Sequence, residues 1–209
     1  MEILMEKKYM YYVVKYTGPF GFIKPWTAVR DSETFSQQFL TPSIVEGIEK
    51  KLFPELLDEK GVIKKIVRHR INYCAIDVQQ ERTWSKGGFK KEKKKDLFGR
   101  EYYIAKNMGI INRGVMLEPN LYLVFHSEKD AQQASRQTVC LCRNEDLLFP
   151  EWIKEMDLAE FEKINGFELL FTSIENGFKV GYNRFSNASE MFGELNIIGS
   201  PIRIADAIS

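Results

Sequence analysis

SKGGFKKEKKKDLFGR, residues Ser85 to Arg100, concentrates positive charge in a chain that is otherwise close to neutral. It carries Lys86, Lys90, Lys91, Lys93, Lys94, Lys95 and Arg100 against Glu92 and Asp96, a net +5, whereas all 209 residues together carry +1. Arg82-Thr83-Trp84 precedes it and Glu101-Tyr102-Tyr103-Ile104-Ala105 follows it, so the region reads as a long hairpin or flexible insertion projecting from a β-rich body. Its ammonium groups can follow a phosphate backbone by releasing condensed counterions, and Phe89 and Phe98 can stack on exposed bases. The plainer alternative is a solvated loop whose lysines only aid solubility.

Working outward, the preceding stretch from Val62 to Gln79 alternates Val67, His69, Ile71, Tyr73 and Ala75 with polar or positive residues, which predicts one long strand with a wet face. Lys64, Lys65, Arg68 and Arg70 on that face would extend the positive surface of the finger. Further upstream, Thr41-Pro42-Ser43 combines an N-cap with a proline suited to a first helical turn. Ile44, Ile48, Leu52 and Phe53 then mark an apolar stripe before Pro54 ends the helix. Tyr9 to Thr17 is β-branched and aromatic, a first strand closed by Gly18-Pro19, and the loop beyond it holds Phe20, Phe22 and Trp26.

Downstream, Val115 to His126 and Gln137 to Leu141 are expected strands, with Pro119 limiting the first and a short helix from Glu128 to Ser135 between them. Ile153 to Glu162 has the spacing of a short amphipathic helix. Glu168 to Ser173 and Gly177 to Tyr182 are expected strands, followed by irregular chain around Gly193, Gly199 and Pro201. The segment Glu145 to Glu168 holds eight carboxylates against two lysines, a net −6, and would repel nucleic acid but suit a basic protein partner.

With 44% hydrophobic and 13% aromatic residues, the chain can bury a real core. Cys74, Cys140 and Cys142 are an odd set that points to a reducing compartment, and the CxC pair is expected to face the core from one strand. His69 and His126 show no paired ligand motif, so neither a metal nor a cofactor is expected. No apolar run nears the ~20 residues of a membrane span and no signal peptide is visible, so the expected location is the cytoplasm. A Gly-x-Ser-x-Gly elbow and a phosphate-binding loop are both absent, which argues against nucleophilic hydrolysis and ATP chemistry. Cleavage of RNA through its 2′-hydroxyl needs only a base, an acid and a cation, for which His69 or His126, Tyr102 or Tyr103 and a lysine have the right chemistry.

Three separated pieces resemble one family. Phe39-Leu40-Thr41-Pro42-Ser43-Ile44-Val45-Glu46-Gly47-Ile48 is similar to a Thr-Pro-Ser helix start followed by glycine. Cys140-Leu141-Cys142-Arg143-Asn144-Glu145-Asp146-Leu147 resembles a Leu-Gly-Arg-Ser-Glu-Asp-Leu segment, with Cys142 in place of the glycine, and Arg113-Gly114 through Leu121-Tyr122-Leu123-Val124 resembles the middle of such chains. The family is the CRISPR-associated RAMP subunit that holds the five-prime handle of the guide RNA (crRNA) in Cascade complexes, the fifth of the numbered Cas families.

The resemblance implies an α+β fold: a ferredoxin-like, RRM-like RAMP domain over residues 1–150, with a long basic β-hairpin thumb at about 80–108, and a small β-rich extension over 151–209 packing on the same body. It implies a non-catalytic crRNA-binding subunit that grips the handle and caps a filament of backbone subunits, beside a large subunit and with target DNA reached only indirectly. Candidate RNA contacts are then Arg82, Trp84, Lys86, Phe89, Lys90, Lys91, Lys93, Lys94, Lys95 and Arg100, with Arg113 and Arg143 as weaker ones. Some members also cut precursor RNA without metal, using a Tyr, Lys and His set. Here Gln37-Gln38-Phe39 stands where a tyrosine is expected and no Lys-His pair occurs, which leaves His126 as a weak catalytic candidate. A third alternative owes nothing to the family: a protein-interaction module whose lysine loop docks an acidic partner.

Overall fold

A computed structural model of the chain describes residues 10–26, 32–82, 89–105, 109–173 and 176–204, without the side chains of 92–94 and 105. In chain order the elements are β1 (Met10–Thr17), β2 (Phe20–Gly21), β3 (Glu33–Phe35), α1 (Pro42–Leu52), a single 3-10 turn (Pro54–Leu56), β4 (Ile66–Asn72) and β5 (Ala75–Arg82). Then come β6 (Phe89–Lys95), β7 (Glu101–Ala105), β8 (Ile110–Leu117), β9 (Asn120–Phe125), α2 (Glu128–Ala134), β10 (Val139–Cys140) and β11 (Leu147–Asp157). The chain finishes with α3 (Leu158–Phe161), β12 (Gly166–Thr172), β13 (Phe178–Asn183) and β14 (Ser189–Ile198).

The fold is α+β and mostly antiparallel. Its largest sheet runs β10-β11-β1-β9-β4-β12-β14-β13. Within it, β11-β1-β9-β4 with α1 after β1 and α2 after β9 is the β-α-β-β-α-β arrangement of a ferredoxin-like domain. Each of its strands pairs antiparallel with its neighbours. Strands β12, β14 and β13 continue the same sheet beyond β4, and β11 itself runs through residue 150. A second sheet is built on β8, which pairs with β5 along its whole length and with β2 and β3 on its other side.

Side-chain alternation explains why the central strands are apolar throughout. Val14, Tyr16, Leu121, Leu123 and Phe125 belong to the main core with Ile48, Leu52, Ala131 and Ala134 of the helices. Val13, Tyr122 and Val124 point the other way, into a smaller cluster with Met156 and Phe161. Helix α1 starts at Pro42 as expected, but its buried residues include Val45, Glu46 and Glu49 beside Ile48 and Leu52. The Glu49 carboxylate accepts the backbone N–H groups of Lys64 (3.0 Å), Lys65 (2.6 Å) and Ile66 (2.8 Å), so the helix fastens the start of β4.

Four expectations are corrected. Val62 to Gln79 is two strands: at Tyr73 and Cys74 the chain leaves the large sheet, with Cys74 N donating to Leu117 O at 2.9 Å, and β5 joins β8 instead. Val115 to His126 divides for the same reason at Glu118 and Pro119, where Glu118 adopts a φ of 48°. Ile153 to Asp157 is strand, because Ile153 and Trp152 pair with Val14 and Lys15 and satisfy one edge of β1. Helix begins only at Leu158, set by a capping box in which Asp157 Oδ1 accepts from Glu160 N at 2.8 Å and Glu160 Oε2 from Asp157 N at 2.9 Å. The chain around Gly193 is not irregular but forms β14, where the absent side chain lets Leu169 pack against the backbone.

The expected wet, basic face of the Val62–Gln79 strand is also overturned. Arg70 is fully buried, stacked 4.2 Å over Phe161, and donates to the carbonyls of Phe161 (2.8 Å) and Ile164 (2.7 Å). It also meets Glu162 (3.0 Å) and the buried Glu168 (2.9 Å), and Arg68 binds both carboxylates beside it. Burial pushes the Glu168 carboxyl up, but hydrogen bonds from the two arginines outweigh it and hold the group below its ordinary value. Lys65 meets Glu55 and Asp130, and Lys64 meets Glu59. These cations neutralise acidic side chains of the same molecule. The CxC pair is likewise turned: Val139 and Leu141 enter the core, while Cys140 is half-buried and Cys142 exposed.

Candidate nucleic-acid interface

The segment between β4 and β9 is an arm. Its base is the β5–β8 pair, in register from Ala75↔Leu117 to Arg82↔Ile110, and β6 and β7 form a hairpin between those strands in the chain. The hairpin turn is Asp96-Leu97-Phe98-Gly99. Asp96 Oδ1 accepts the N–H groups of Phe98 (2.9 Å) and Arg100 (2.7 Å), Gly99 N donates to Asp96 O at 3.0 Å, and Gly99 takes the positive φ of 74° that closes such a turn.

Strand alternation sorts the hairpin's side chains. Phe89 opposes Ala105, Lys91 opposes Tyr103 and Lys90 opposes Ile104, so Phe89, Lys91 and Tyr103 share one face, while Lys90, Tyr102 and Ile104 share the other. Phe89 is 68% and Tyr103 62% exposed, and Phe98 at the tip is 78% exposed. Large aromatic surface in water beside cations is costly for a free protein and useful for stacking. Lys91 meets Glu101 at 2.5 Å, and Arg100 lies 5.1 Å over Phe98. Lys90, Lys95, Arg100 and, at the end of β5, Arg82 are exposed. Trp84 and Lys86, and the side chains of Lys93 and Lys94, lie outside the described residues.

Arg113 and Arg143 come together at the base of the arm. Both guanidinium groups lie over the Phe22 ring, at 5.6 and 5.2 Å. Arg113 sits 3.4 Å from Glu81. Arg143 makes a fork to the buried Asp146 (2.6 and 2.9 Å) and reaches Gln79 of β5 at 3.3 Å. It thus braces the turn after β10 against the arm. Asp146, part of the expected acidic partner face, is consumed in that brace, as Glu162 and Glu168 are in the buried cluster.

The two histidines stand apart. His126 is exposed at the end of β9 with its ring stacked 5.5 Å from Tyr11. His69 is buried, stacked 5.1 Å from Phe171, and its Nε2 has no hydrogen-bond partner. Burial pushes its pKa down to about 4, so the ring is neutral at pH 7. Among the described residues, no group of three His, Cys, Asp or Glu side chains is placed to hold a metal, and no helix is long and apolar enough to cross a membrane.

No family model and no curated protein sequence matches the chain. The fold is a different matter: a chain of a solved structure titled "CRISPR RNA-guided surveillance complex" superposes over 92% of this chain and 90% of its own length, with a TM-score of 0.53 and 11% identity. The chain thus shares its α+β fold with that protein over nearly its whole length.

Proposed function

We propose that the protein is a non-catalytic crRNA-binding subunit of a type I-like CRISPR effector complex, gripping the five-prime handle with its arm and capping a filament of backbone subunits beside a large subunit. The observation that carries this reading is the hairpin itself. Lysines, Arg100 and four exposed or half-exposed rings, Phe89, Phe98, Tyr102 and Tyr103, are presented on a two-stranded projection with no packed partner among the described residues to explain them. Single-stranded RNA is bound by that combination of cations and stacking planes. The likeness in fold to a chain of a CRISPR surveillance complex supports the same reading. A holding role also suits the histidines, one stacked on Tyr11 and the other buried against Phe171.

The test is a salt titration of guide-RNA binding for the wild type and for a variant with Lys90, Lys91, Lys93, Lys94 and Lys95 all changed to Ala. The variant should bind about a hundredfold more weakly at low salt, with a shallower dependence of log Kd on log salt. Identical slopes would refute the reading and leave the arm as a docking element for an acidic protein. Incubation with repeat RNA in EDTA should yield no defined product, whereas a single cut lost in His126→Ala would establish the nuclease alternative.

A further inference from the structure

A second cationic site lies away from the hairpin. Between α1 and the chain at the end of β10 is a cleft of about 400 Å3, and Lys24, Lys51 and Arg184 all line it. They come from distant parts of the sequence: the loop after β2, the last turn of α1, and the chain just after β13. No carboxylate lines the cleft, and among the described residues no ion pair joins any of the three to an acid. This contrasts with Arg68, Arg70, Arg113 and Arg143, each of which meets a carboxylate. Lys51 Nζ instead rests 3.5 Å from Cys140 Sγ, and Arg184 lies 4.7 Å over Phe185.

Gly47 has a part in this arrangement. A Cβ on it would stand 2.6 Å from an Arg184 Nη and 3.8 Å from its Cζ, so the guanidinium points end-on at the helix where glycine leaves it room. Glycine in a helix interior is unfavourable relative to alanine, and room for Arg184 is what it provides. Three like charges gathered around one concave site without a counter-charge favour an anion with several oxygens. The cleft also adjoins the arm base. Cys142 on its wall precedes Arg143, which reaches Gln79 of the arm, and Lys24 follows two residues after Phe22, on which both Arg113 and Arg143 lie.

We infer that this cleft binds a backbone phosphate of the RNA where the strand passes from the arm onto the body, through Lys24, Lys51 and Arg184. The inference rests on the RNA-binding reading above and adds a site that the hairpin does not include. Cys142 is exposed on the wall of the cleft and, although packing around its sulfur pushes the thiol pKa up and slows its reaction, it serves as a built-in reporter whose labelling rate is compared with and without ligand.

Two measurements on the full chain test it. A Lys24→Ala, Lys51→Ala, Arg184→Ala variant should bind single-stranded RNA about tenfold more weakly. Its salt slope should fall by about 0.7, the share of one phosphate on a single strand. All three side chains are exposed, so its thermal midpoint should match the wild type. In the unaltered protein, saturating RNA should slow maleimide labelling of Cys142 severalfold, and inorganic phosphate at the same phosphate concentration should not. Equal protection by inorganic phosphate would reassign the cleft to a free anion and overturn the RNA assignment, as would protection only by RNA carrying a terminal five-prime phosphate. If the five-lysine variant loses binding while the cleft variant keeps its affinity and slope, and RNA leaves labelling unchanged, the cleft proposal fails and the arm reading stands. If neither variant changes binding, both fail.

Discussion

Two basic strands of this protein place their cations in opposite settings. Strand β4 contributes Arg68 and Arg70, and hairpin strand β6 contributes Lys90, Lys91 and Lys95, yet the first pair is folded inward on Glu162 and Glu168 while the second group faces water. Arginine suits the inner role, since its planar fork satisfies two carboxylates and two carbonyls at once, and it is less strongly hydrated than lysine. Lysine suits the outer setting because its strongly hydrated ammonium keeps its water. Charge alone therefore does not distinguish the two settings; burial against carboxylates does, since Arg70 and Glu168 are enclosed whereas Lys91 and its partner Glu101 both stay about half exposed.

This contrast can be broken experimentally. The largest effect is expected at Glu168→Ala, which leaves the fully buried Arg70 short of a counter-ion and should cost about 3–5 kcal/mol in urea unfolding. A loss below about 1 kcal/mol would mean that the cluster is not structural. The five-lysine hairpin variant should show the reverse pattern, losing about 2.7 kcal/mol of RNA binding for its hundredfold effect while unfolding as the wild type does.

A smaller effect is expected from His69, beside Arg68 and Arg70 on the same strand. Its folded pKa of about 4 lies below the ordinary 6.5, so between those values the unfolded chain binds more protons. Its contribution is complete above pH 6.5 and is lost as the pH falls towards 4, amounting to about 2 kcal/mol between pH 6.5 and 5. His69→Gln should remove that part of the acid destabilisation; an unchanged pH profile would show that the buried ring does not titrate in this way. The smallest effect belongs to Lys91 and Glu101, both about half exposed. A double-mutant cycle there should give about 0.5 kcal/mol or less, and a larger coupling would give the hairpin pair a structural share.

Much of the frame was legible from local pattern. The Pro42 helix start, where Thr41 sits at the N-cap without a side-chain capping bond, the Ser127-capped Glu128 helix, the β1, β12 and β13 strands and the hairpin between Arg82 and Ile104 all follow from helix-start and turn residues and period-two alternation, which act over a few residues. The misread segments are those where a distant partner decided. Ile153 to Asp157 has helical spacing but completes the edge of β1, and Val62 to Gln79 alternates evenly but divides because its two halves pair with β9 and β8. Arg113 and Arg143 were visible as positive residues, whereas their meeting over Phe22 was not. The cleft cations Lys24, Lys51 and Arg184 carried no sequence signal, being spread over 160 residues and joined only by folding.

By itself, then, the sequence determined most of the element types, though not the Ile153–Asp157 or Gly193 strands, together with the placement of a basic, aromatic finger between two strands and the lack of the common nucleophile and nucleotide-binding motifs. The tertiary structure alone decided which cations are free for a ligand. That depends on whether a carboxylate from a distant strand comes within about 3 Å of a given guanidinium or ammonium. For Arg70 the answer is Glu168, nearly a hundred residues away, and for Lys24, Lys51 and Arg184 no described carboxylate pairs with them.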